Sequence, residues 1–125
     1  MATEFRLKSS RTVFPLVIDG DDEDGNPVVK YEKKYFIDVG NKEKLKQIYS
    51  SIRELSGKAE KVAEDETVFD SIEELSKGII QTTLGDWENI WEASGHNIYA
   101  VMGLVFALAK IIREESTDAF KRYGL

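Results

Sequence analysis

His96, within Gly95-His96-Asn97, is the only histidine in the chain, and imidazole is the most common general acid or base in catalysis. It has no nucleophile to activate, because cysteine is absent and no Gly-x-Ser-x-Gly elbow surrounds any serine. A lone histidine between glycine and asparagine is therefore read as a helix-start or loop residue. Carboxylates are more abundant. Asp19-Gly20-Asp21-Asp22-Glu23-Asp24-Gly25-Asn26-Pro27 has the alternating oxygens of a calcium loop, but an EF-hand needs glycine at its sixth position and glutamate at its twelfth. Counting from Asp19 those places hold Asp24 and Lys30, and counting from Asp22 the twelfth is Lys33, so a solvated turn is the better reading and no metal or other cofactor is expected. Glu73, Glu74, Asp86, Glu88 and Glu92 add acidic groups without the opposed environments that separate a general acid from a base.

Two further groups could bind without reacting. Lys30, Lys33 and Lys34 can lie beside Arg6, Lys8 and Arg11 on a small sheet and form a basic patch, although charged solvent faces of strands are common. Trp87 and Trp91, four residues apart, either cap the end of a helical core, which is the favoured reading, or anchor a partner protein.

Positioning these groups requires two kinds of element. Val13, Phe14, Leu16, Val17 and Ile18 form an apolar run interrupted by Pro15, which suits an edge strand; Val28 to Val39 is a second strand, and the pair should form a hairpin around the acidic loop 19–27. Phe5 and Leu7 alternate with charges and allow a short additional strand. From Asn41, a plausible helix cap, the period lengthens: Leu45, Ile48, Tyr49, Ile52 and Leu55 recur at helical spacing, with Gly57 a soft end. A second helix should start near Thr67 or Asp70, the latter with Glu73 at capping-box spacing, carry Val68 or Phe69, Ile72, Leu75, Ile79 and Ile80, and stop at Gly85. Asp86 can cap a brief helix with Trp87, Ile90 and Trp91. A final helix should run from about Asn97 to Arg122, with Ile98, Val101, Val105, Leu108 and Ile112 on its core side.

The expected fold is thus α+β and mainly α: a small N-terminal antiparallel β-hairpin or sheet over 1–39, followed by a bundle of three to four helices over 41–122, in one domain of 125 residues. A net charge of -6, from 17 basic and 23 acidic residues, argues against a nucleic-acid partner. The twelve uncharged residues from Ile98 to Ala109 fall short of the roughly 20 that span a bilayer, and Met1 to Arg11 lacks the apolar core of a signal peptide. A cytoplasmic protein without a membrane partner is expected.

The strand pair, the Asn41-Lys42-Glu43 opening of a helix, and the run Thr82-Thr83-Leu84-Gly85, Ile90-Trp91 and Gly95-His96-Asn97-Ile98 leading into an apolar helix resemble the tail assembly chaperones of long-tailed bacteriophages, encoded before the tape measure protein. The resemblance covers residues 28–115 in outline; related proteins more often read Phe-Gly where this chain has Leu84-Gly85. It implies a noncatalytic protein, present in the host cytoplasm during assembly and absent from the mature virion, that binds the tape measure protein, helps recruit the tail tube protein and self-associates. Trp87, Ile90, Trp91, Ile98 and Tyr99 are then the expected aromatic and apolar surface. Competing readings are a structural tail completion or connector protein, and a small enzyme or metal-binding protein with an acidic loop.

Overall fold

The computed structural model describes residue 4 and residues 11–61 and 65–124. Arg6, Lys8 and the strand expected around Phe5 and Leu7 lie outside them. The architecture is a two-stranded antiparallel hairpin followed by four helices, mainly α.

Strands β1 (Arg11–Asp21) and β2 (Pro27–Asp38) pair from Arg11↔Asp38 to Asp21↔Pro27. Pro15 is tolerated because each strand of a two-stranded sheet has a free edge. The loop expected at 19–27 contracts to 22–26, since Asp19, Gly20 and Asp21 stay in the ladder opposite Val29, Val28 and Pro27. Two local devices allow this. The register slips between Ile18 and Asp19, leaving Lys30 as a bulge residue whose side chain crosses Gly20; a Cβ on Gly20 would lie 2.7 Å from Lys30 Cγ. The turn is then closed by Asp22, whose Oδ1 accepts the amides of Asp24 at 2.9 Å and Asn26 at 2.8 Å, with Gly25 at φ +80°. Those bonds hold the Asp22 carboxyl below its ordinary range.

Period-two alternation splits the hairpin into unlike faces. Phe14, Leu16, Ile18, Tyr31, Tyr35 and Ile37 face the helices, whereas Val13, Val17, Val29 and Phe36 are exposed on the other side.

Helix α1 (Lys42–Ala59) starts as expected: the Asn41 side chain accepts the Lys44 amide at 3.0 Å. Gly57 does not end it. Helix α2 (Val68–Thr83) is not capped by Asp70, which sits in its first turn; instead Asp65 gathers the Thr67 amide and hydroxyl at 2.9 and 2.7 Å. Val68, rather than Phe69, turns inward. Gly85, at φ +72°, closes the helix through its amide to the Ile80 carbonyl at 3.2 Å.

Helix α3 (Trp87–Ala93) leads by a tight corner to α4 (Ile98–Arg122), where Asn97 accepts the amides of Tyr99 and Ala100 at 3.0 and 3.1 Å. Val101, Val105, Leu108 and Ile112 recur at helical spacing and are buried against Ile48, Leu55, Ile72, Ile79 and Ile80. Each such side chain contributes about 1.5–3 kcal/mol through burial. The hairpin lies alongside α4: Val39 and Gly40 share a cleft with Ala119 and Phe120 near its end, and the middle of β1 overhangs Ala100 to Ala107.

Candidate docking surface

Asp86 occupies the cap position of α3, yet its carboxylate bonds no backbone amide. The first amide of that helix, from Trp87, is taken by Gln81 Oε1 at 3.1 Å. Asp86 is thereby free to face the hairpin. Its Oδ2 accepts the hydroxyls of Tyr35, at 2.6 Å, and Tyr31, with Lys33 Nζ 3.5 Å away, while Oδ1 accepts Asn89 Nδ2 at 2.7 Å. The two hydroxyls are themselves 2.7 Å apart, and Lys33 Nζ sits 5.1 Å over the Tyr35 ring.

Burial alone would raise the Asp86 pKa, but the bonds from Tyr31, Tyr35 and Asn89 and the Lys33 charge outweigh it and lower it to about 2. Burial and the adjacent carboxylate push both phenols above their ordinary range. Asp86 is therefore a fully engaged anion that binds the hairpin to the α2–α3 corner and is a poor proton acceptor.

A second cluster shapes the α3–α4 corner. Gly95 and His96 both adopt positive φ, +71° and +57°, and their amides reach the carbonyls of Glu92 at 3.0 Å and Trp91 at 3.1 Å. This is a Schellman closure, and its usual side-chain contact is supplied by rings. Trp91 is stacked between Trp87, at 5.0 Å, and His96, at 4.8 Å. His96 Nε2 also meets Glu92 Oε1 at 2.7 Å. His96 thus shapes the corner, in keeping with its reading as a loop or helix-start residue.

These placements redraw the expected surface. Trp87 and Ile90 are 4% and 1% exposed, so they belong to the core; Trp91 and Ile98 are half-buried, and Tyr99 alone is well exposed, at 65%. The spacing that puts Trp87, Ile90 and Trp91 on one face turned that face inward, because the short α3 is apolar on that side only. The basic patch does not assemble among the described residues either. Lys33 turns inward to Asp86, Lys34 projects from the opposite face, and Lys30 lies on Gly20. Arg11 stacks over the Phe36 ring at 4.2 Å.

What remains open is apolar. Phe14, Leu16 and Ile18 of β1 form one wall of a groove, and Ile90, Ala100 and Leu104 contribute to the other, enclosing about 410 Å³. Beside it the outward side of α4 presents Tyr99, Gly103 and Phe106, followed by Tyr49 of α1 across a shallow cleft. A contiguous apolar surface of this kind is characteristic of a docking site.

Among the described residues no three acidic or histidine side chains converge to hold a metal ion, and no helix is long and apolar enough to cross a membrane. The Asp86 cluster was not anticipated from sequence. Its signal is Tyr31-x-Lys33-x-Tyr35, which period two places on one strand face. Comparison with protein-family models, curated proteins and solved structures finds no match.

Proposed function

We propose that this chain is a noncatalytic tail assembly chaperone, which shields apolar helical segments of the tape measure protein in the host cytoplasm, assists recruitment of the tail tube protein and leaves before the virion is mature. The observation that carries this reading is the uncovered groove between β1 and α4, lined by Phe14, Leu16, Ile18, Ala100 and Leu104. An amphipathic helix buries one apolar stripe, and a groove walled by a strand and a helix offers it matching contact without requiring a reactive group. The acidic balance of the chain, -6, favours solubility of a complex that carries a long apolar client. The resemblance in the Thr82-to-Ile98 segment adds the identity of the client.

Co-expression with the tape measure protein that this reading assigns as its client is the direct test. The expected result is a soluble complex that survives purification over a range of salt. An insoluble client and no recoverable complex would remove the chaperone reading, and stoichiometric recovery of this chain in purified virions would favour a structural tail subunit.

A further inference from the structure

We propose that the cleft between α1 and α4 binds a short acidic amphipathic helix of another protein. Tyr49 and Ile52 of α1 and Phe106, Ala109, Lys110 and Arg113 of α4 line this cleft, which encloses about 410 Å³. It shares no residue with the groove beside β1 and is a second site, whatever the groove holds.

The cleft combines open aromatic rings with unpaired positive charge. Tyr49 and Phe106 are 42% and 40% exposed, and Lys110 and Arg113 are exposed beside them. Among the described residues neither cation forms an ion pair, and neither lies over an aromatic ring. The rings and the charges therefore do not satisfy one another. On α1, Lys46 and Arg53 stand one turn before and one turn after Tyr49, and both are exposed. No position three, four or seven residues from Tyr49 or Phe106 carries a carboxylate, although 23 of the 125 residues are acidic.

This charge pattern selects the occupant. A nucleic acid or an anionic bilayer would meet the rest of a chain whose net charge is -6, whereas a short segment meets the cleft alone. Lys110 and Arg113 are one turn apart on α4, so they match carboxylates one turn apart along the edge of a second helix. The apolar stripe of that helix then fills the space between Tyr49 and Phe106, and its acidic edge faces the two cations.

Fluorescence anisotropy on the isolated chain tests this with labelled synthetic helices. All carry one leucine stripe, and their edge positions hold Glu, Gln or Lys. The Glu peptide should bind one to one and weaken with salt, the Gln peptide should bind about tenfold less tightly, and the Lys peptide should not bind. Lys110→Glu and Arg113→Glu should each weaken the Glu peptide about tenfold and admit the Lys peptide, at an unchanged thermal midpoint. Lys34→Glu makes the same charge change on the far face of the hairpin and should leave the peptide series as it is. The series on the wild-type chain decides even where a variant folds poorly. No binding by any peptide, equal binding of the Glu and Lys peptides, or a Glu preference indifferent to Lys110→Glu overturns the proposal. So does sedimentation with phosphatidylglycerol vesicles that Lys110→Glu abolishes while no peptide binds, since the cleft would then be a membrane contact.

Discussion

The Tyr35 hydroxyl donates to the Asp86 carboxylate across 2.6 Å, joining strand β2 to the start of α3 over 51 residues of sequence. Tyr31, two pleat repeats away on the same face, donates to the same oxygen. A two-stranded hairpin is marginal by itself, and its position beside α4 depends on such links as well as on Ile37 and Val39 in the core. The groove wall formed by β1 inherits its placement from this joint, because β1 is held chiefly through β2.

The joint has an acid limit. The Asp86 pKa is about 2 in the folded chain and 3.8 in the ordinary carboxyl, so the folded state binds this proton less tightly than the unfolded state. Its contribution, about 1–2 kcal/mol after allowing for solvent, is complete above about pH 4 and disappears as pH falls toward 2. Urea denaturation of the wild type and Asp86→Asn from pH 7 to about 2 should show two stability curves that converge at the acid end. Parallel curves would mean that Asp86 does not provide this linkage.

At alkaline pH the sign reverses. Burial, then the Asp86 carboxylate, hold Tyr35 and Tyr31 above the ordinary phenol value of 10.0, so their stabilisation is intact below pH 10 and is lost as pH rises beyond it. Of the five tyrosines, these two should ionise only as the chain unfolds, giving a late step in phenolate absorbance. Tyr35→Phe should shrink that step and cost about 1.5–3 kcal/mol at neutral pH, the range for a hydrogen bond to a charged group. Ionisation of all five in a single early transition would contradict the buried cluster.

The hairpin and the four helices were legible because both periods are written plainly in the chain. Tyr31, Tyr35, Ile37 and Val39 recur at the strand's period of two, and Val101, Val105, Leu108 and Ile112 follow the helical repeat. Less local facts were hidden. The tight turn depends on Asp22 folding back on two amides, which makes an acidic run compatible with a strand end. The docking surface was displaced for a related reason: Trp87 and Ile90 form a credible aromatic face in either direction, and only the packing of α3 on the core decides that they point inward. Tyr31 and Tyr35 could be placed on one face from spacing alone, but their partner lies more than fifty residues away.

Ser76 offers a test of packing within α2. It is fully buried, and its Oγ has no hydrogen-bond partner, so folding removes a hydroxyl from water without replacement. Ser76→Ala keeps nearly the same volume and removes that cost; the expected gain is about 1–3 kcal/mol, read as a higher urea midpoint with an unchanged slope. A loss of stability would show that the hydroxyl is satisfied in solution.

The two faces of β1 and β2 separate docking from general stickiness. Leu16 faces the groove, while Phe36 is 57% exposed on the outer face. If the groove holds the client, Leu16→Glu should abolish co-purification, because a carboxylate there must either stay hydrated and hold the client away or be buried unpaired. Phe36→Glu should leave the complex intact, since Phe36 does not line the groove. Far-ultraviolet circular dichroism and a thermal midpoint on each variant distinguish a blocked groove from a damaged fold. Equal losses from both variants would place recognition on general hydrophobicity, and a loss confined to Phe36→Glu would move the site to the outer face of the hairpin.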